Sequence, residues 1–231
     1  MDVWRIDLDR SCALNGLLAI LDEQEKRRAA SFLSDSLARR FIVAHAATRC
    51  ILSTYNGLPP EDLKFEYNIY GKPALANNGG PPFNLSHSHD LALCAVARSG
   101  ELGVDIERRR DIDYLEMASR FFSSTETKCL LGLNDELSRH VFFVCWTRKE
   151  AYIKAKGLGL SLPLEQFSVE MRPGIPARLI ECAYAPEDVD RFRLWDVPVP
   201  EGFMAAAAHS GVDEGAPNYR LWNFGESLMA S

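Results

Sequence analysis

An α+β protein of two similar halves is what this sequence predicts, on three observations. Each half runs through helical stretches into strands and ends on an apolar run containing alanine, Leu91 to Ala97 in the first and Phe203 to Ala208 in the second. Ser99-Gly100 breaks the chain between them. No low-complexity tract or long linker intervenes, so residues 1–100 and 101–231 are expected to pack tightly on each other. The likeness lies in the order of elements and not in the residues, and 231 residues suffice for a proper core whether the halves fold as one domain or two.

Each element has a local cause. Val3 to Leu8 alternates apolar and polar, the period of a half-buried strand. Leu17 to Tyr55 is helical in pattern; Ser34 or Asp35 could cap a helix carrying Phe41, Ile42, Ala46 and Ile51 inward, and Asn56-Gly57 would end it. Leu63 to Tyr67 alternates as a strand before a turn at Tyr70-Gly71-Lys72-Pro73, and Asn77 to Pro82 is a strong loop signal. Phe83 to Ser88 is expected at loop or strand-end positions, ahead of an inner strand over Leu91–Ala97.

The second half opens with a strand at Gly103–Glu107. Helical stretches follow around 112–120, 124–131 and 136–156, the last stopped by Gly157-Leu158-Gly159. Strands are expected at Phe167–Glu170, Phe192–Trp195 and Phe203–Ala208.

Composition excludes several classes. The hydrophobic fraction of 47% and charged fraction of 25% are those of an ordinary globular protein. A net charge of −6 argues against a nucleic-acid-coating surface. The six cysteines show no C-x-x-C pair and no companion histidines at zinc spacing, and several lie in apolar stretches, so they read as small buried hydrophobes in a reducing compartment. Charges at the N-terminus and the lack of an apolar run of about 18 residues leave no signal peptide or membrane span, which makes a cytoplasmic protein the simplest expectation.

Two short segments carry chemistry. Asp105 and Glu107 are two apart, so on a strand both carboxylates share one face. Glu150 and Lys154 are four apart on a helical stretch, so an acid and a base share one face there. Three convergent carboxylates make an oxygen-only site suited to Mg²⁺, and a lysine beside it can hold a phosphate oxygen. Taken singly, D-x-E reads as the solvent face of an edge strand and Glu150/Lys154 as a surface helix pair. Gly71-Lys72-Pro73 and Phe83 to Ser88 add a cation, hydroxyls and the imidazole of His87, which alone would be a structural hydrogen-bonder.

Five segments in order resemble the 4′-phosphopantetheinyl transferase superfamily, in its monomeric two-half branch that activates peptide and polyketide synthetases. They are Gly71-Lys72-Pro73, Phe83 to Ser88, Gly103 to Glu107, Arg120 to Glu126, and Trp146-x-x-Lys149-Glu150-Ala151-x-x-Lys154-Ala155-x-Gly157-x-Gly159-Leu160, which Ser161 to Leu164 extend. The resemblance implies transfer of phosphopantetheine from coenzyme A to a serine of an apo acyl or peptidyl carrier protein, releasing 3′,5′-ADP, in a cleft between the halves. By similarity Asp105, Glu107 and Glu150 would hold Mg²⁺ against the pyrophosphate, and Lys154 would contact it with Ser86 nearby. His87 and a basic residue, Arg28 or Arg40, would take the 3′-phosphate, with Lys72 and Pro73 along the nucleotide. The 3′-phosphate and nucleotide thus fall to the first half, the metal to the second.

Glu150, Glu126 or a metal-bound water could accept the serine proton, and Glu126 could instead be a first-turn helix residue favoured by the helix dipole. Phe121, Phe122, Phe142, Phe143, Trp146 and Tyr152 are expected in the core. Arg108-Arg109-Arg110 is a solvated segment or steers an acidic carrier. Two other readings of the carboxylates are a Mg²⁺-dependent phosphohydrolase acting on a nucleotide or coenzyme A pyrophosphate, and a non-catalytic coenzyme A- or carrier-binding module.

Overall fold

The computed structural model describes residues 1–76, 80–211 and 215–223, so the first three residues of the loop expected at Asn77–Pro82 lie outside the described residues. The first half contains β1 (Asp2–Asp7), α1 (Leu14–Ile20), α2 (Glu23–Ala30), α3 (Asp35–Asn56), β2 (Phe65–Tyr67), β3 (Pro73–Leu75), β4 (Phe83–Ser88) and β5 (Leu91–Val96). The second contains β6 (Leu102–Arg108), α4 (Tyr114–Phe121), α5 (Ser124–Leu131), α6 (Asp135–Lys156), β7 (Phe167–Val169) and β8 (Leu179–Cys182). It closes with α7 (Asp188–Arg191), β9 (Arg193–Asp196), β10 (Phe203–His209) and β11 (Asn218–Leu221).

A four-stranded sheet ordered β11-β1-β5-β4 and a three-stranded sheet ordered β6-β10-β9 form the centre, with hairpins β2-β3 and β7-β8 beside them. The apolar runs at β5 and β10 have side chains buried on both faces. Leu91, Leu93 and Ala95 of β5 join Val104, Ile106, Phe203, Ala205 and Ala207 in a core between the sheets. Ala92, Cys94 and Val96 face α3 through Val43, Ala47 and Ile51, while Ala206 and Ala208 face the core that α6 builds with Phe142, Cys145 and Tyr152. Strands buried on both faces read as continuous apolar stretches, which is why these two were legible.

Three features depart from the sequence expectation. The helical stretch from Leu17 to Tyr55 is divided: Asp22 caps α2 by accepting from Gln24 and Glu25 N–H, and Glu25 returns the bond to the Asp22 N–H. Phe83–Ser88 is a full strand, paired antiparallel with β5 along its length. The C-terminal part also crosses back into the first half, where β11 lies parallel to β1. Four residues with no alternation give no signal for such a strand. The expected aromatic core is present: Phe122, Phe142, Phe143 and Tyr152 are buried, and Phe121 and Trp146 pack against them.

Both long helices, α3 and α6, end at a glycine in the left-handed region, Gly57 at φ 73° and Gly157 at φ 67°. Asn134 opens α6 by accepting from Leu137 N–H. The far end of α6 is finished by the other half: Asn68 donates to Gly157 O at 2.8 Å, and Lys72 Nζ donates to Ala155 O at 2.8 Å and Leu102 O at 3.0 Å. The first half therefore satisfies carbonyls that α6 cannot satisfy itself. No helix among the described residues is long and apolar enough to cross a membrane. The cysteines are free, with Cys50, Cys94, Cys145 and Cys182 buried.

Candidate active site

Strand β6 sends Gly103, Asp105 and Glu107 to the side opposite its apolar residues, and α6 lies along that side. A Cβ built on Gly103 would stand 2.1 Å from Ala151 O and 2.4 Å from Ala155 N, so only glycine lets the helix come this close. The approach brings Glu150 and Lys154, which flank Ala151 and Ala155 in sequence, to the two strand carboxylates. Lys154 Nζ donates to Asp105 Oδ1 at 2.6 Å and to Ser86 Oγ at 2.8 Å. Ser86 donates to Asp105 Oδ1 at 3.0 Å, and Ser88 donates to Glu107 Oε2 at 2.9 Å.

The electrostatics are those of crowded anions. Burial first, then the charge of Asp105, pushes the Glu150 carboxyl up to about 7; Glu107 adds to the shift and Lys154 opposes it. The Glu107 carboxyl is raised by the same causes, burial and Asp105. Glu150 takes no hydrogen bond from described residues, and Asp105 Oδ2 is buried without a partner. A buried carboxylate oxygen that accepts no hydrogen bond is costly. Among the described residues no three acidic, histidine or cysteine side chains already stand in a metal-ligating arrangement, and Asp105 Oδ1 is turned to Lys154 and Ser86. The orphaned oxygen and the mutual repulsion of three carboxylates nonetheless fit a hard cation, which would satisfy the first and relieve the second.

Comparison with known proteins agrees with this chemistry. The family model for the 4′-phosphopantetheinyl transferase superfamily matches residues 101–202, the segment holding the three carboxylates and Lys154. The 4′-phosphopantetheinyl transferase HetI of Nostoc sp. (strain PCC 7120) is 41% identical over 182 residues, covering 77% of this chain and 76% of HetI. The chain belongs to the 4′-phosphopantetheinyl transferase superfamily. The 4′-phosphopantetheinyl transferase Sfp of Bacillus subtilis (strain 168) is 32% identical over 174 residues, 74% of this chain and 77% of Sfp. The L-aminoadipate-semialdehyde dehydrogenase-phosphopantetheinyl transferase of Pongo abelii is 27% identical over 171 residues, 68% of this chain and 55% of that one. The protein is thus an enzyme that transfers the phosphopantetheine of coenzyme A to carrier proteins.

The remaining residues singled out in the sequence of this transferase have mixed fates. His87 opens to solvent, yet desolvation by surrounding protein, with Lys154 and His45, lowers its pKa. Glu126 does not join the carboxylates. It is 2% exposed, ion-paired to Lys149 at 2.6 Å, and accepts from Ser123 N–H and Val169 N–H at 2.9 Å each. This is a capping box tied to a buried cation, the geometry of the helix-start alternative for Glu126.

The ammonium of Lys72 is spent on the carbonyls of Leu102 and Ala155, and burial lowers its pKa to about 8. Lys72 and Pro73 do line a cavity of about 620 Å³ with Tyr67, Leu75, Phe83 and Lys156, a cavity that none of the three carboxylates borders. Arg40 is bound through two nitrogens to Asp9, at 2.7 and 2.5 Å. Arg28 is exposed, its guanidinium 5.1 Å from the ring centre of Phe32.

Sequence reasoning missed two residues that shape the site. His45 on α3 lies near enough to His87 to bias its charge; it bonds Glu25 at 2.9 Å and stacks on Phe41. Its place inside an apolar helical stretch gave no signal. Gly103 was seen only as part of a motif, although a glycine inside a strand is itself a sign of close backbone approach.

Proposed function

We propose that Asp105, Glu107 and Glu150 hold a divalent cation, Mg²⁺ by their all-oxygen chemistry, against the pyrophosphate of coenzyme A. The observation that carries this reading is the buried, partnerless Oδ2 of Asp105, whose charge helps push the carboxyls of Glu107 and Glu150 toward protonation. Bound there, such a cation would polarise the phosphoryl group under attack and offset charge on the departing 3′,5′-ADP. Lys154 would give one of its three N–H donors to a pyrophosphate oxygen while Ser86 and Asp105 fix its position. Glu150, whose carboxylate takes no hydrogen bond from described residues, is the carboxylate with an oxygen left to take the proton of the carrier serine.

His87, standing exposed with Lys154 and His45 near it, suits the 3′-phosphate, whose negative charge would favour its protonated form. Arg28 has its guanidinium available for the same phosphate, whereas Arg40 would first have to leave Asp9. Residues 1–100 would then supply nucleotide recognition and 101–231 the cation and pyrophosphate site, in a monomer working in the cytoplasm. Incubating the protein with Mg²⁺, coenzyme A and a panel of apo carriers should add the phosphopantetheine mass to a carrier serine, and a chelator should stop it. Full transfer in excess EDTA would remove the cation from this reading.

A further inference from the structure

Strand β4 runs parallel to β6, but its side chains, not its backbone, make the connection. Asn84 Oδ1 accepts the Val104 N–H at 2.9 Å, Ser86 Oγ the Ile106 N–H at 3.3 Å, and Ser88 Oγ the Arg108 N–H at 3.1 Å. Each rung spans the same separation of twenty residues. Alternate residues of a strand share a face, so three polar side chains at 84, 86 and 88 form one row. They serve as the acceptors that a neighbouring strand would otherwise supply to the N–H groups of an edge.

Two of the three rungs have a second function. A hydroxyl has a single proton and accepts through its lone pairs, so once Oγ has taken an N–H its own proton can go elsewhere. In Ser86 it goes to Asp105 and in Ser88 to Glu107. Asp105 has another anchor, because Lys154 holds both it and Ser86. Glu107 has none among the described residues besides Ser88. Its side chain is one methylene longer than aspartate and lies only partly buried at the end of the strand, so it has rotamers to lose.

We propose that Ser88 is a positioning residue for Glu107: the Arg108 N–H fixes Ser88 Oγ, and Ser88 Oγ aims the Glu107 carboxylate at the cation site. This rests on the reading of Glu107 as a cation ligand. Hydrogen bonds to liganding carboxylates influence metal affinity by about 10- to 100-fold. The Asn84 rung bears no carboxylate and holds the strands together only.

The test is Mn²⁺ binding, read as loss of the free-ion electron paramagnetic resonance signal, by the parent protein, Ser88→Ala, Ser88→Thr and Asn84→Ala. Mg²⁺ titrations of transfer and hydrogen exchange at the Arg108 amide accompany it. Ser88→Ala should bind Mn²⁺ about 10-fold more weakly, need correspondingly more Mg²⁺ for half-maximal transfer, and exchange faster at Arg108. Ser88→Thr keeps the hydroxyl and should stay within about twofold of the parent. Asn84→Ala should melt earlier yet bind Mn²⁺ like the parent.

Should Ser88→Ala not fold, Ser88→Cys, with a weaker donor of similar size, carries the same comparison. Parent-like affinity in the variant lacking the hydroxyl would overturn the proposal, as would equal weakening by Asn84→Ala or by Ser88→Thr. A parent protein that binds no Mn²⁺ would refute the cation reading itself, and the role of Ser88 with it.

Discussion

Replacing Glu150 by glutamine should make the metal-free protein more stable while abolishing its transfer activity. In the folded protein the Glu150 carboxyl titrates at about 7 instead of 4.5, pushed up by burial and by Asp105. A raised carboxyl means that the folded state keeps a proton which the unfolded chain has released. The stability this group contributes therefore falls as pH rises from about 4.5 to about 7, and stays lost above that. At about 1.36 kcal/mol per pKa unit the rise from 4.5 to about 7 corresponds to about 3–4 kcal/mol, and partial solvent access brings the expected figure to about 1–3 kcal/mol. Glutamine has the shape of the protonated acid and escapes that cost. For a chain of this length about 1 kcal/mol moves the melting temperature by roughly 2–4 °C, so Glu150→Gln should melt about 2–12 °C higher than the parent at pH 8 in EDTA. The gap should nearly close at pH 4.5, where Glu150 in the folded protein is protonated and as neutral as glutamine. Millimolar Mg²⁺ should raise the melting temperature of the parent and not of the variant. Calorimetric melts at pH 4.5, 6 and 8, with and without Mg²⁺, give all of these comparisons. A variant that melts with or below the parent at pH 8 in EDTA, or a gap independent of pH, would refute the reasoning.

Three other outcomes are expected. Gly103→Ala places a methyl 2.1 Å from the Ala151 carbonyl oxygen, so α6 must move off β6; a loss of at least about 3 kcal/mol in denaturant melts is expected, together with loss of transfer. Glu126→Gln leaves the buried Lys149 without its counter-charge and should cost about 3–5 kcal/mol of stability while leaving the Mg²⁺ concentration for half-maximal transfer unchanged in the protein that still folds; a selective change in Mg²⁺ requirement would return Glu126 to the site. Lys154→Ala removes a charge-assisted contact worth about 2–3 kcal/mol, so single-turnover transfer should slow by roughly 30- to 160-fold, and a rate within twofold of the parent would leave Lys154 only a structural partner of Asp105.

What the sequence determined by itself was whatever local period and residue type can encode. The alternation of Val3 to Leu8, the helix end at Gly157, and the two alanine-bearing strands at β5 and β10 were all visible, because periodicity, a left-handed glycine and two-sided burial each leave a mark on neighbouring residues. The spacing of Asp105 with Glu107 and of Glu150 with Lys154 likewise fixed which side chains share a face. Tertiary structure decided which of these faces meet, and which charges remain available once they do. Glu126 and Lys72 look as suited to catalysis and nucleotide binding as Glu150 and Lys154 do, yet one is bound by Lys149 and the other caps α6 from across the halves. The difference lies in partners 23 and 83 residues away, which no window along the chain contains. The same holds for β11, which pairs with a strand at the opposite end of the chain, and for Ser88, whose hydroxyl acquires a direction only because β6 lies beside it.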